Sequence, residues 1–232
     1  VEGKNFGIRK YVLQYDNVMN KQREIIYSQR RMVLDGEDLR EYIMGMMEEL
    51  VDGIIDPVTM ESRYPEEWDF DAMSVDLCKI NPLFKEALVY TEDEKMNLTP
   101  EILKEDVKDT FRKIYEEKEK EIGVEHVREA ERMILLRVVD NRWMDHIDAM
   151  DQLKNGIGLR ALGQQDPTAA YASEGFAMFD EMVADIREET VKYCYSMTLQ
   201  TNTERKNAVT IAITRKDEYE DEEQQQLAQE KR

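Results

Sequence analysis

Cysteine, proline, histidine and long apolar runs are all scarce in this chain, and each scarcity removes a class of protein. Cys78 and Cys194 are the two cysteines, and they stand 116 positions apart. They form no paired metal or redox motif, so buried reduced thiols are expected in place of a disulfide framework. No run approaches the ~20 apolar residues that span a bilayer, and the opening VEGKNFGIRK lacks the apolar centre of a secretion signal. A soluble, cytoplasmic chain is expected. The two histidines, His126 and His146, belong to no HExxH or Cys/His cluster. Asp145, His146 and Asp148 neighbour one another along a helix and cannot converge on one small ion, so both histidines read as structural. Among the ten glycines there is no GxxxxGK[ST] loop, and Gly156, Gly158 and Gly163 neither follow a strand nor match GxGxxG. No catalytic residue, cofactor or metal is expected in this chain, which does not read as an enzyme by itself.

Charge and amphipathic helices are abundant. The formal net charge is −19, unevenly spread: residues 1–35 hold seven Lys or Arg against four acids, whereas 36–122 hold eleven against 25. So acidic a surface repels phosphate backbones, and nucleic acid is not an expected partner. Over 6–35, Ile8, Tyr11, Val12, Tyr15, Val18, Met19, Ile26 and Val33 recur mostly at steps of three or four. That spacing predicts an amphipathic helix of ~45 Å, stopped near Asp35-Gly36.

From 37 to 123 the pattern shortens, and four of the five prolines fall here: Pro57, Pro65, Pro82 and Pro100. A helix is predicted over 39–55 and another from Pro100, capped by Thr99. A loop-rich stretch between them carries Trp68, Phe70, Leu77 and Phe84 as a small core. Because this acidic segment separates two long-helix regions that resemble each other more than it, it reads as an inserted subdomain.

Residues 124–199 read as a helical hairpin. Val127, Ala130, Ile134, Val138, Ile147, Met150 and Ile157 make one stripe; Phe176, Phe179, Val183, Ile186, Thr190, Tyr193 and Met197 make the other. Asp166-Pro167 marks the start of the second helix. Between the helices lies the tip GLRALGQQ (158–165), where Leu162 cannot be buried by its own hairpin and becomes a contact point for a partner. Trp143 reads as a helix-packing aromatic able to lock the hairpin to the N-terminal helix. The methionines of YIMGMM read first as core and second as a pliable surface for apolar segments. Past 200, AVTIAIT (208–214) alternates like a strand without a partner strand in the chain, followed by a charged tail.

The segments RKYVLQYDNV (9–18), IYSQR (26–30), RWMDHIDAMDQL (142–153), GIGLRALGQQDP (156–167) and EGFAMF (174–179) resemble the C-terminal region of the SecA family, the ATP-driven motors of bacterial protein export. The resemblance implies an all-α fold. Residues 1–35 would be the first scaffold helix, 36–122 a helical wing, 123–200 the scaffold's two-helix finger, and 201–232 an acidic linker with the strand-like piece. It implies a fragment whose ATP- and Mg-binding motor domains precede residue 1. The finger-tip residues Arg160, Ala161, Leu162, Gly163 and Gln164 would contact preprotein and the SecYEG channel, Leu162 standing where the family pattern has an aromatic. Arg9 and Trp143 match residues that face or restrain the motor domains. Further implied partners are an acidic phospholipid surface and a second SecA copy, with a location on the inner face of the plasma membrane. The competing expectation is a stand-alone helical interaction or chaperone-like module.

Overall fold

In the computed structural model, residues 2–35, 39–157 and 166–198 are described, without the side chains of 2–12 and of Glu86, Ala87 and Glu92. The chain divides into two units, Val1–Ser196 and Met197–Arg232. Among the described residues every regular element belongs to the first unit and is helical: α1 (Glu2–Asp35), α2 (Leu39–Glu61), α3 (Phe70–Ile80), α4 (Glu92–Lys95), α5 (Pro100–Ile122), α6 (Val124–Gly156) and α7 (Pro167–Ser196). Short 3-10 turns occupy Pro65–Glu67 and Pro82–Leu88. The strand expected at 208–214 and the tip 158–165 lie outside the described residues.

Two starts follow the expected chemistry. Thr99 Oγ1 accepts from the Ile102 amide at 3.3 Å ahead of Pro100, and Asp166 Oδ1 accepts from the Thr168 amide at 3.0 Å ahead of Pro167. The helix predicted over 39–55 instead runs to Glu61 with Pro57 inside it. Proline removes one amide and crowds the carbonyl four residues earlier, which belongs to Gly53, the residue type whose backbone yields most readily. Burial of Ile55 and Thr59 on either side of Pro57 carries the helix through. The expected loop contains α3, whose N-terminus is capped by Asp69 Oδ1 accepting from the Ala72 amide at 2.8 Å. Trp68, Leu77 and Phe84 are buried as expected, while Phe70 is half-buried.

Helices α6 and α7 run antiparallel. Arg142 bridges from α6 to Asp185 at 3.1 Å and also to Glu189, both on α7. Helix α1 lies along both: Arg30 reaches Asp140 at 3.1 Å near one end, and Tyr15 packs edge-on against Tyr171 at 4.6 Å near the other. These pairings set α1 antiparallel to α6 and parallel to α7. Met150, Ile157 and Tyr171 form the buried centre beneath Tyr15, Val18 and Met19.

The chain enters α6 from α5 through Gly123 at φ 94, a conformation that L side chains adopt only with strain. Further back along α5, Tyr195 of α7 donates to the Phe111 carbonyl at 3.0 Å and packs on the stacked Phe84–Phe111 pair. Asn81 Nδ2 donates to the Tyr195 carbonyl at 3.0 Å. The acidic segment is thereby fastened to the end of the hairpin.

Candidate functional site

Helix α1 meets the hairpin over an apolar stripe that is interrupted by a buried polar residue, Gln22. Gln22 follows Val18 by one turn and precedes Ile26 by another, so its amide is carried into the contact and buried there. Gln22 Nε2 donates to the Gly175 carbonyl of α7 at 2.9 Å. Its Oε1 faces His146 Nε2 of α6 at 3.0 Å. The reversed amide would oppose two carbonyl oxygens at Gly175, so Oε1 is the acceptor and His146 Nε2 carries the proton. One neutral side chain thus joins three helices with both its polar ends satisfied.

The surroundings hold this arrangement in place. Trp143 stacks on His146 with ring centroids 5.6 Å apart, and Phe179 meets the same imidazole edge-on at 5.7 Å. Burial pushes the imidazole pKa below its usual value, and no charged neighbour contributes to the shift. Gly175 is a close-approach position: a methyl built there would stand 2.6 Å from Met150 Cε and 3.1 Å from its Sδ. A larger residue there would require the end of the Met150 side chain to shift.

Of the sequence-predicted site residues, Trp143 is thus in the junction, buried and against its histidine. Arg9 lies on α1, with its side chain outside the described residues. Arg160, Ala161, Leu162, Gly163 and Gln164 also lie outside them. His126, expected to be structural, is exposed, as is Phe176, which was assigned to the core stripe. The α7 positions facing inward are Tyr171, Gly175, Phe179, Met182 and Ile186, so Phe176 is turned away by the register that places Gly175 at the contact. Cys194 is buried, but Cys78 is half-buried; both are free thiols. Sequence reasoning missed Gln22 and Gly175. The signal was a polar residue within the α1 stripe and a glycine within a helix that its cap and length otherwise make strong.

A second buried polar group was also unforeseen. Glu131 of α6 is fully buried and receives hydrogen bonds from Tyr115 of α5 and from Arg128. Arg128 continues to Glu119, which Arg40 of α2 also reaches at 3.2 Å. Desolvation, with the neighbouring thiol and carboxylate adding to it, drives the Tyr115 phenol well above its ordinary pKa, so it remains a donor. Among the described residues no group of His, Cys, Asp and Glu is arranged to hold a metal ion, and no helix is long and apolar enough to cross a membrane.

Residues 1–198 match the SecA Wing and Scaffold domain family. The chain is 49% identical over 206 residues to protein translocase subunit SecA 1 of Alkaliphilus metalliredigens, covering 89% of this chain and 23% of that protein. It is 51% identical over 211 residues to the protein of the same name from Clostridioides difficile, covering 91% and 23%. It is 47% identical over 209 residues to protein translocase subunit SecA of Caldicellulosiruptor saccharolyticus, covering 90% and 24%. The chain therefore spans about a quarter of the length of the relatives it matches. With the match extending from α1 through α7, the chain belongs to the SecA wing and scaffold family.

Proposed function

We propose that this chain is the part of a protein-export motor that connects ATP-hydrolysing domains to a polypeptide-contacting finger. The observation that supports this reading is the neutral lock of Gln22, His146 and Gly175, because it makes α1 and the α6–α7 hairpin one stiff body. A displacement imposed on α1 would then move the hairpin instead of sliding past it. In this reading residues 1–35 and 123–200 are scaffold, 36–122 are the wing and 201–232 a linker. Arg160, Ala161, Leu162, Gly163 and Gln164 at the tip meet the preprotein and the SecYEG channel. Arg9 and Trp143 restrain the motor, Trp143 through its stack on the lock histidine. ATP and Mg bind the motor domains and not this chain, which does not hydrolyse ATP alone. The protein works at the inner face of the plasma membrane, where the basic α1 also suits acidic phospholipid; a second copy is a further partner.

The test is a photo-crosslinking residue at Leu162 in the full-length protein, supplied with membrane vesicles and a stalled preprotein. Labelling of the channel or the preprotein is expected. Labelling of neither would contradict the reading and favour a stand-alone interaction module.

A further inference from the structure

Helix α2 contains two glycines at which an added methyl would meet nothing within 4 Å, Gly45 and Gly53. A glycine inside a helix destabilises it relative to alanine, so each calls for a reason. Gly53 has one in the carbonyl that Pro57 crowds. Gly45 has none within its own helix or against a neighbour. What distinguishes it is position. It lines a groove of about 490 Å³ between α1, α2 and α7, whose apolar wall is Met32, Leu39, Met46, Val183 and Ile186 and whose polar rim includes Gln29, Glu41, Glu49 and Arg187. On its other side it lines a concavity of about 360 Å³ between α2 and α5. The missing side chain makes Gly45 a low saddle between two hollows.

The charges around the saddle indicate what crosses it. Arg112 is committed to Glu48 at 2.7 Å, and Arg187 pairs with Glu49 across the larger groove. Glu41 borders both hollows, is exposed, and among the described residues has neither a hydrogen bond nor an ion pair. A carboxylate with no partner among the described residues, beside an apolar wall that includes Met32 and Met46, suits an apolar side chain followed by a cation.

We infer that the Gly45 saddle is a docking site for a polypeptide segment in which a large apolar residue, seated between Met32, Met46 and Ile186, is followed by a lysine or arginine that pairs with Glu41. The inference stands on the groove and does not depend on the export reading. A segment that crosses α2 at Gly45 approaches the backbone closely, which only glycine permits without steric cost. The acidic character of 36–122 adds a long-range attraction for such a segment, one that salt would weaken.

The experiment measures binding of a short fluorescein-labelled peptide with a Leu-Leu-Lys centre to the full-length protein by anisotropy. Control peptides carry Ser for Leu or Glu for Lys. Gly45→Leu should weaken binding of the Leu-Leu-Lys peptide ~tenfold or more, Glu41→Gln about threefold with a flatter salt dependence, and Gly53→Ala not at all. Gly45→Ala should raise the melting temperature slightly, since nothing packs there. A lower melting temperature for Gly45→Ala would reveal an internal reason for the glycine and overturn the proposal. Equal affinity of Gly45→Leu and wild type, or equal affinity for the Glu-for-Lys peptide, would overturn it too. Absence of binding to the wild type would give the groove to another part of the longer protein. Phosphatidylcholine vesicles bound by wild type and released by Gly45→Leu would give it to lipid. Either result would overturn the proposal as well.

Discussion

The junction of α1 with α6 and α7 and the pairing of α2 with α5 solve the same problem, fixing one long helix against another, with different polar groups beside their apolar contacts. At the junction a single neutral amide is buried and satisfied within an apolar stripe. Helices α2 and α5 also bury apolar stripes, Ile43, Met47, Val51 and Ile55 on one and Leu103, Val107 and Phe111 on the other, and the polar fastening beside them is a ladder of ions: Arg40 with Glu119, Glu48 with Arg112, Asp52 with Lys108, and Asp56 with Lys104. The residue numbers fall in one antiparallel series: the rungs at Glu48, Asp52 and Asp56 stand one turn apart, and Arg40 stands two turns before them. The rungs are partly exposed; ion pairs near the surface contribute about 0.2–1 kcal/mol each and weaken in salt. A buried amide that loses its partners costs about 1–3 kcal/mol per orphaned group. The junction is therefore specified by the cost of breaking it, and the ladder by alignment of weak contacts that are easily exchanged.

That difference can be sharpened by substitution. The largest effect is expected where the two regions are tied together: Tyr195→Ala removes the ring packed on Phe84, Phe111 and Tyr115 together with its hydrogen bond. A loss of about 3–5 kcal/mol in urea unfolding is expected. Next comes Gln22→Ala, which orphans the His146 donor and the extra Gly175 contact; about 2 kcal/mol should be lost, with little dependence on salt. Lys108→Ala should cost only about 0.5 kcal/mol at low salt, and less in concentrated salt. A salt-sensitive Gln22 variant or a salt-insensitive Lys108 variant would break the contrast.

Acidity separates the regions in a further way. The folded His146 pKa lies below its ordinary value of 6.5 because burial disfavours the cation. The unfolded chain then binds more protons in the window beneath 6.5, so this group's contribution is complete above that value and is lost as the pH falls toward the folded pKa. The melting temperature should decline between pH 7 and 5 more steeply for the wild type than for His146→Leu. Parallel profiles would show that the imidazole is not desolvated as described.

Much of the helical framework was legible because its signals are local. Thr99-Pro100 and Asp166-Pro167 mark helix starts by cap chemistry, which requires no knowledge of the partner helix. Features decided by distant packing were not legible. The helix read over 39–55 runs on through Pro57 to Glu61, carried by the burial of Ile55 and Thr59. Phe176 shares a helical step with Phe179, but the side of α7 that faces inward carries Tyr171, Gly175, Phe179, Met182 and Ile186 and leaves Phe176 exposed. In the candidate site Trp143 could be read from its place on an apolar face. Gln22 could not, because an amide on such a face has meaning only once His146 and the Gly175 carbonyl are known to lie opposite it.

The central claim, that the hairpin is held to α1 by a mutually satisfied pair of buried polar groups, is tested most directly by a double-mutant cycle on Gln22→Leu and His146→Leu followed by urea unfolding. If the lock is as described, each single change strands the other's polar atom, and the double variant will be more stable than the sum of the singles implies, by about 1–2 kcal/mol. Additivity within about 0.3 kcal/mol would contradict it and would mean that the two side chains are buried side by side without holding the helices together.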